Sequence, residues 1–206
     1  MPYAFRYRIR GEETFECPLQ CAQCVGRTKA GTQCRRSSCI GTPYCWQHLL
    51  SDKHLRIQAS SIEGAGKGLF AVSRTADANE ILFRPGERII EYGGEVIDDA
   101  EVSRRYDLHN EAGEVVEEFT APYALLNQWT NEMEDGACRR GVGTLINHSP
   151  QRSANAQFYY DADTRALIVV ASKRIRNGSE IKVYYGKDYT FDADTAHDTV
   201  PRRRRR

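Results

Sequence analysis

The sequence of 206 residues contains no run of about 18 apolar residues, the length that a membrane-spanning helix needs. It also has no charged segment followed by an apolar stretch near Met1, the pattern of a secretory signal peptide. We therefore expect an intracellular protein with no membrane partner. The length allows one medium domain and a small accessory module, and an apolar fraction of 40% is enough for a packed core.

Charge is nearly balanced overall but unevenly distributed. The formal net charge is +1, and the five arginines at positions 202–206 contribute +5, so the remainder carries −4. Residues 98–136 contain eleven acidic and two basic side chains, a net of −9. This acidic stretch is either a solvated face or a site for a basic peptide. The arginine-rich end either serves nuclear import or nucleic-acid contact, or is a charged tail without a partner.

Cysteine is absent beyond Cys138, and six of the seven cysteines lie between Cys17 and Cys45. A secreted disulfide scaffold is disfavoured because a signal peptide is not recognised, so the clustering favours an intracellular metal site. Cys138 stands apart from the cluster, and we interpret it as a small buried residue.

Within this cluster, four residues have spacings suited to one tetrahedral zinc ion: Cys24, Cys34, Cys45 and His48. The last two are one helical turn apart, which can aim a thiolate and an imidazole at the same ion. Four protein ligands leave no position for a catalytic water, so the predicted zinc is structural.

Other ligand sets stay open, because Cys21 and Cys39 are close enough in sequence to compete. A loop-rich segment with reduced thiols is the alternative to a metal site. Residues 24–48 also resemble a small zinc-binding module that ends in Tyr-Cys-Trp-x-His. That resemblance favours Cys24 over Cys21 as the first ligand.

From Leu55 onward, short β-branched and apolar runs are separated by Gly, Asn and Asp, a pattern that predicts a β-rich core with inserted helices. Strands are predicted at residues 55–59, 68–72, 89–92, 156–160, 166–171 and 181–184. Short helices are predicted at residues 99–108 and 123–129. The strands are too short and irregularly spaced for a βαβ sheet, and no internal repeat is present.

Four short motifs follow one another in this region, at residues 64–68, 91–97, 147–149 and 178–186. Alternate glycines in the first motif permit positive φ and close approach of backbone amides to a ligand, although a simple tight turn is the alternative. Asn147 and His148 offer donors and acceptors for a ligand with an amine, a carboxylate and an adenine ring. The alternative for Asn-His-Ser is a glycosylation acceptor, which the absence of a recognised signal peptide disfavours.

The order of these motifs resembles the SET-domain protein-lysine methyltransferases. The resemblance implies a mainly β SET-domain fold of short sheets with a knot-like C-terminal crossing and a helical insert, preceded by the small zinc-stabilised module. It divides the chain into an N-terminal segment (1–20), the Cys/His module (21–54), a SET domain (55–190, with the acidic insert at 98–136) and a C-terminal segment (191–206).

The resemblance also implies that the methyl donor S-adenosyl-L-methionine binds to this chain. The implied donor contacts are Ala65, Gly66, Lys67, Gly68, Tyr123, Asn147 and His148. Tyr185 corresponds to the catalytic tyrosine of the family, and Tyr92 would face it across the pocket. Tyr189 or Phe191 would cover the adenine.

Three positions depart from the commoner family pattern. Thr144 stands in place of an arginine, which puts a local salt bridge in doubt. Val183 replaces a Phe or Tyr that limits room for methyl groups, so the number of methyl groups added stays open. Pro150 follows Asn-His-Ser where many members have cysteine, so the C-terminal segment would close the lysine channel without metal.

The expected function is therefore an S-adenosylmethionine-dependent protein-lysine N-methyltransferase of the nucleus. Its expected substrate is a histone or another Lys/Arg-rich protein, and the arginine-rich tail would contact nucleosomes or nucleic acid. The alternative is a non-catalytic SET-like chromatin or nucleic-acid adaptor. The presence of Asn147, His148, Tyr92 and Tyr185 favours the enzyme, because an adaptor has no need of all four.

Overall fold

The computed structural model describes residues 4–8, 14–18, 21–38, 42–117, 123–138 and 141–186. Strands outnumber helices in these ranges, and the two α-helices are each 8 residues long. None of the helices described has the length and apolar character needed to span a bilayer. The predicted mainly β fold with a small Cys/His module is confirmed.

The N-terminal part consists of short elements. Strands β1 (Ala4–Arg8) and β2 (Thr14–Pro18) form an antiparallel pair. In the Cys/His module, β3 (Ala22–Gln23) pairs with β4 (Ser37–Ser38), and helix α1 (Trp46–Lys53) follows. The residue that follows this helix, His54, is its C-cap. The left-handed backbone of His54 allows its N–H to bond the Leu49 carbonyl.

The second group of strands begins directly after α1. Strands β5 (Leu55–Ala59) and β6 (Lys67–Ala71) are antiparallel and are joined by the glycine-rich turn. Three short strands follow: β7 (Ile81–Phe83), β8 (Arg88–Glu91) and β9 (Glu95–Ile97).

The described residues of the acidic insert form one helix and four strands. They are α2 (Asp99–Tyr106), β10 (Leu108–His109), β11 (Val115–Glu117), β12 (Ala124–Asn127) and β13 (Glu132–Asp135). Strands β12, β13 and β9 form a three-stranded sheet in that order, and β10 pairs with β11. The Asp98 side chain caps α2 by accepting from the Glu101 N–H at 2.8 Å.

The helix predicted at residues 123–129 is wrong, because this segment contains strand β12. Its Ala-Leu-Leu sequence favours a helix locally, but pairing with β13 satisfies its backbone groups. The connecting turn has Asn131 in the left-handed region (φ 57), and the Asn127 side chain accepts from the Trp129 N–H at 3.1 Å.

Buried charges attach α2 to the three-stranded sheet. The Arg105 guanidinium donates to carboxylates of Asp135 and Glu95, both at 2.6 Å, and the Tyr106 hydroxyl donates to Asp135 at 2.7 Å. Asp135 is 0% exposed. Some acidic side chains of this stretch therefore stabilise the fold from within. The sequence interpretations, a solvated face or a site for a basic peptide, did not include this role.

From Gly141 to Gly186, the structure describes a 3₁₀ helix (Val142–Leu145) and five strands. The strands are β14 (Asn147–His148), β15 (Ala156–Asp161), β16 (Ala166–Ala171), β17 (Ile175–Arg176) and β18 (Lys182–Val183). Strands β15, β16 and β8 form one sheet, and β17 pairs with β7. Strand β14 pairs with β18 in parallel, which brings residues 147–148 beside 182–183.

One hydrophobic cluster connects these sheets. It contains Leu55 and Leu69 of the β5–β6 pair, Val169 of β16 and Ile181 just before β18, all fully buried. Leu49 of α1 belongs to the same cluster, and the Val72 N–H donates to the His54 carbonyl at 2.7 Å. The Cys/His module therefore packs on the main core.

Candidate functional site

Four side chains of the module converge on one point. The Sγ atoms of Cys24 and Cys45 each lie 3.4 Å from Nδ1 of His48, and Sγ of Cys34 lies 4.0 Å from Sγ of Cys45. The four potential ligand atoms all lie within 4.8 Å of one another, and the three cysteines are buried. The structure thus brings together the four residues that the spacing selected.

Local backbone geometry holds these side chains in place. Backbone N–H groups of Gly26 and Cys45 donate to Sγ of Cys24 at 3.4 and 3.1 Å, and the Arg36 N–H donates to Sγ of Cys34 at 3.5 Å. Nε2 of His48 lies 2.9 Å from the Arg27 carbonyl. An N–H on Nε2 leaves Nδ1 as the ligand atom of the imidazole.

The arrangement fits a tetrahedral zinc ion. Zn–S and Zn–N bonds of ordinary length separate neighbouring ligand atoms by about 3.5–3.8 Å, close to the separations above. Burial raises the pKa of the Cys45 thiol, but hydrogen bonds from His48 outweigh burial and lower that pKa to about 7. A thiolate is therefore accessible near neutral pH, as metal binding requires.

The other cysteines have different surroundings. Cys21 and Cys138 both take part in disulfide bonds, and Cys138 is half-buried. The interpretation of Cys138 as a small buried residue is wrong, since its sulfur is committed to a crosslink that its isolated position did not indicate. Cys39 lies outside the described residues.

The glycine-rich turn connects β5 to β6. Gly64 (φ 76) and Gly66 (φ 66) occupy the left-handed region, and the Gly66 carbonyl accepts from the Ser60 N–H at 2.9 Å. Among the described residues, a Cβ added to Gly66 would meet no atom within 4 Å, so the turn is open there with respect to this part of the chain. A Cβ on Gly68 would instead lie 2.3 Å from Oε1 of Glu180. The turn is thus open at Gly66 and tightly covered at Gly68.

Asn147 connects this turn to the parallel strand pair. Its Nδ2 donates to the Lys67 carbonyl at 3.0 Å, to Oγ of Ser60 at 3.1 Å and to Oε1 of Glu180 at 3.1 Å. Its Oδ1 has no hydrogen-bond partner within the described residues, so this oxygen can accept from an ammonium group of a ligand. The hydrogen-bonding groups of Asn147 beside the open turn fit the methionine end of S-adenosylmethionine.

Glu180 was missed by the sequence reasoning, yet its carboxylate holds the turn. It accepts from the Ser60 hydroxyl at 2.7 Å, from the Ser61 N–H at 2.9 Å and from the Ser61 hydroxyl. Burial raises the pKa of Glu180, but these hydrogen bonds and that of Asn147 outweigh burial and lower it. No basic side chain in the described part of the chain pairs with Glu180.

Aromatic rings from four segments meet near Tyr185. The centre of the Tyr185 ring lies 5.5 Å from the centre of the His148 ring and 6.1 Å from that of Phe158. The ring centres of Phe158 and Tyr92 are 5.8 Å apart in an edge-to-face arrangement. His148 also lies 5.7 Å from Tyr184. Phe158 is a second residue that sequence reasoning missed as part of the site, because a phenylalanine on strand β15 resembles any core residue.

Hydrogen bonds fix the position of Tyr185. Its backbone N–H donates to Nδ1 of His148 at 3.1 Å, and its hydroxyl donates to the Ile146 carbonyl. Burial lowers the pKa of His148, which keeps the ring neutral so that Nδ1 can accept. The parallel pairing of β14 with β18 therefore determines where the Tyr185 ring lies.

Tyr92 contacts the same ring, Phe158, that Tyr185 contacts, and is 6% exposed. Burial, followed by electrostatic interaction with Tyr185, Asp135 and Glu134, raises the pKa of Tyr92 well above its ordinary value. The Tyr92 hydroxyl donates to the backbone carbonyl of Tyr123 at 3.2 Å.

Tyr123 itself is half-buried and immediately precedes β12. Tyr189 and Phe191, the two residues expected to cover an adenine ring, lie outside the described residues.

Comparison with known proteins identifies the family of the domain that contains these residues. The sequence profile of the SET domain matches residues 66–186, more than half of the chain. The chain belongs to the SET-domain family. The matched range includes Gly66, Asn147 and Tyr185, and the Cys/His module precedes it.

Curated relatives of this SET domain are lysine methyltransferases. N-lysine methyltransferase KMT5A-A of Xenopus laevis is 31% identical over 133 residues, covering 63% of this chain and 36% of that protein. KMT5A-A of Danio rerio is 27% identical over 128 residues, covering 61% of this chain and 33% of that protein. The chain thus matches about a third of the length of these relatives.

Among solved structures, the crystal structure of Chaetomium thermophilum polycomb repressive complex 2 is similar to this chain with a TM-score of 0.48. The sequence identity is 27%, and the alignment covers 66% of this chain and 16% of that chain.

Proposed function

We propose that this protein is an S-adenosylmethionine-dependent protein-lysine N-methyltransferase. The observation that carries the proposal is the parallel pairing of β14 with β18, which joins Asn147 at the glycine-rich turn to Tyr185 in the aromatic cluster. One strand pair therefore connects a donor pocket to a lysine pocket.

The donor pocket consists of the turn and the strand that faces it. We assign donor contacts to Ala65, Gly66, Lys67, Gly68, Tyr123, Asn147 and His148. When bound, S-adenosylmethionine supplies a methyl group on a positively charged sulfur. The open backbone at Gly66 and the free acceptor on Asn147 suit its methionine end, while Glu180 keeps the turn in place.

The aromatic rings prepare the lysine amine. An ammonium has no lone pair, so the lysine must lose its proton before it accepts a methyl group. Walls formed by Tyr92, Phe158 and Tyr185 exclude water and thereby lower the pKa of the lysine. The Tyr185 hydroxyl donates to the Ile146 carbonyl, so its oxygen remains an acceptor that can orient the amine. Alignment in this dry pocket supplies most of the expected rate enhancement.

The proposed substrate is a histone or another Lys/Arg-rich protein in the nucleus. Acidic side chains of the insert at 98–136 would attract such a tail, mainly by increasing the association rate. The side chain of Asp135 is excluded from this role because it is buried against Arg105. Nucleosome or nucleic-acid contact through the arginine-rich tail is proposed from the sequence, since that tail lies outside the described residues.

We further propose that Cys24, Cys34, Cys45 and His48 bind a structural zinc ion. The division into an N-terminal segment (1–20), the Cys/His module (21–54), the SET domain (55–190) and a C-terminal segment (191–206) is likewise a proposal.

Mass spectrometry of a histone mixture incubated with the protein and S-adenosylmethionine tests the enzyme proposal. We expect a mass increase of one or more methyl groups on a lysine, which Tyr185→Phe abolishes. Tyr159→Phe is a matched control, because Tyr159 is exposed on β15. Methylation that persists in Tyr185→Phe would remove Tyr185 from its proposed role. A wild-type protein that binds the donor but modifies no histone would favour the adaptor.

A further inference from the structure

We infer that a cleft between the Cys/His module and the β5–β6 pair binds single-stranded nucleic acid, with a base stacked on Trp46 and phosphates on the surrounding basic side chains. This inference concerns a surface outside the proposed methyl-transfer site. It does not depend on the SET-domain activity.

The cleft has a volume of about 350 Å³ and lies where the module meets the main core. The described residues of its lining include aromatic, aliphatic and basic side chains but no Asp or Glu. The main lining residues are Tyr44, Trp46, Leu49, Ile57, Arg56 and Arg74. Trp46 is the first residue of α1 and directly follows the ligand Cys45, so the metal cluster fixes the wall that carries the indole.

Two rings at the cleft already lie beside cations. Trp46 is 61% exposed, and the Arg36 guanidinium lies 5.5 Å from the centre of its ring. Nζ of Lys53 lies 4.9 Å from the centre of the Tyr44 ring. An exposed indole beside an arginine provides both an apolar surface for a base and a charge for its phosphate.

In the part of the chain that the structure describes, the cations around the cleft are not paired with carboxylates. Within the described residues, no ion pair involves Arg36, Lys53, Arg56 or Arg74. Elsewhere in the described residues, by contrast, Arg88, Arg104 and Arg105 are all paired with carboxylates. Residues 21–54 carry five Lys or Arg against Asp52, a net of +4. The cleft therefore favours an anionic partner.

An exposed aromatic ring favours nucleic acid over an acidic peptide. Carboxylates would use the four cations but would gain little from the indole. An unpaired base can stack on Trp46 whatever its identity, whereas bases in a duplex are stacked on one another. A single strand uses both features of the cleft.

Fluorescence anisotropy of the full, zinc-loaded chain with a labelled single strand of about 12 nucleotides tests this inference. We expect Trp46→Ala to weaken binding about tenfold, since stacking on one aromatic ring contributes roughly that factor. Trp46→Tyr should retain most of the affinity. Trp129→Ala is the matched control, because Trp129 is also exposed (47%) but lies in the acidic insert.

Charge is tested separately with Arg56→Ala and Arg74→Ala, each compared with Arg88→Ala. Each cleft variant should reduce the slope of log affinity against log salt by about 0.7, the value for one phosphate contact on a single strand. Zinc content and circular dichroism establish that every variant is folded. The arginine-rich tail is present throughout and contributes equally.

Equal affinity of Trp46→Ala and the wild type would overturn the inference and assign binding to the tail. A polyglutamate peptide that binds as tightly as the single strand and displaces it would also overturn the inference, provided that its affinity is the same for Trp46→Ala and the wild type. That result would favour an acidic protein partner. Preference for duplex over single strand would contradict the stacking role of Trp46.

Discussion

The Cys/His cluster and the Tyr185 pocket are assembled in different ways. All four residues of the cluster lie between positions 24 and 48, and turns and one helix hold them. The Tyr185 pocket and the glycine-rich turn beside it join segments as far apart as Ser60 and Glu180, which are 120 residues apart in sequence and are brought together by strand pairing. The first region thus depends on contacts within one short segment, and the second on long-range packing.

Metal removal should produce the largest loss of stability. It would also show whether the main core stays folded when the Cys/His module unfolds. We expect Cys45→Ser, or a strong chelator, to unfold residues 21–54, because binding free energies of about 10–16 kcal/mol stabilise comparable small zinc modules. The main core should lose only the packing of Leu49 and Tyr44. Circular dichroism, zinc stoichiometry and melting temperature measure these effects.

Gln47→Ala is the control for this experiment, since Gln47 is exposed on the same helix. An unchanged melting curve after complete loss of metal would show that the cluster does not hold the module together.

Loss of the Glu180 carboxylate should produce the next largest effect. Glu180→Ala leaves donors of the half-buried Ser60 and Asn147 and of the exposed Ser61 without their acceptor, and a hydrogen bond to a charged group contributes about 1.5–3 kcal/mol. We expect a destabilisation of about 2–4 kcal/mol, together with weaker donor binding. Denaturant unfolding and calorimetric titration measure the two effects.

Glu180→Gln should be less harmful, because one amide oxygen still accepts. Glu132→Ala serves as the control, since Glu132 is exposed in the insert. If Glu180→Ala binds the donor as tightly as the wild type does, the glycine-rich turn does not need the Glu180 carboxylate to bind the donor.

Titration of His148 should have the smallest effect. Burial lowers the pKa of His148 below 6.5, so the unfolded chain binds more protons than the folded one as the pH falls through 6.5. The contribution of neutral His148 to stability is therefore full above pH 6.5 and decreases below it. His148→Asn keeps an acceptor for the Tyr185 N–H without this titration.

We expect the melting temperature of His148→Asn to vary less than that of the wild type between pH 7.5 and 5.5. His54→Asn is a suitable control, because asparagine tolerates the left-handed backbone at this exposed position. Identical pH profiles for His148→Asn and the wild type would show that His148 does not contribute in this range.

Local features of this fold could be predicted from the sequence. Strands 55–59 and 166–171 match the structure, and the spacing of cysteines and histidine located the metal cluster. Helix α2 was also predicted, although it ends at Tyr106 rather than at residue 108. In each case hydrophobic pattern or ligand spacing within a short segment carries the information.

Features defined by distant partners could not be predicted in this way. Residues 123–129 have helical propensity but pair with β13, and the disulfide of Cys138 has no sequence signature. Phe158 and Glu180 became part of the candidate site only through their neighbours in the fold. The Asn-His and Tyr-Gly motifs located the rest of that site through the resemblance to a family.

Calorimetric titration of the zinc-loaded chain with S-adenosylmethionine tests the central claim most directly, because it detects the donor pocket without requiring a substrate. We expect one donor molecule per chain. Asn147→Ala should weaken binding about tenfold or more, since it removes an acceptor for a charged amine and the link to the turn. Saturable one-to-one binding with this loss would support a methyl-donor site formed by the β5–β6 turn and the β14–β18 pair. Absence of binding to a folded, zinc-loaded chain would contradict it.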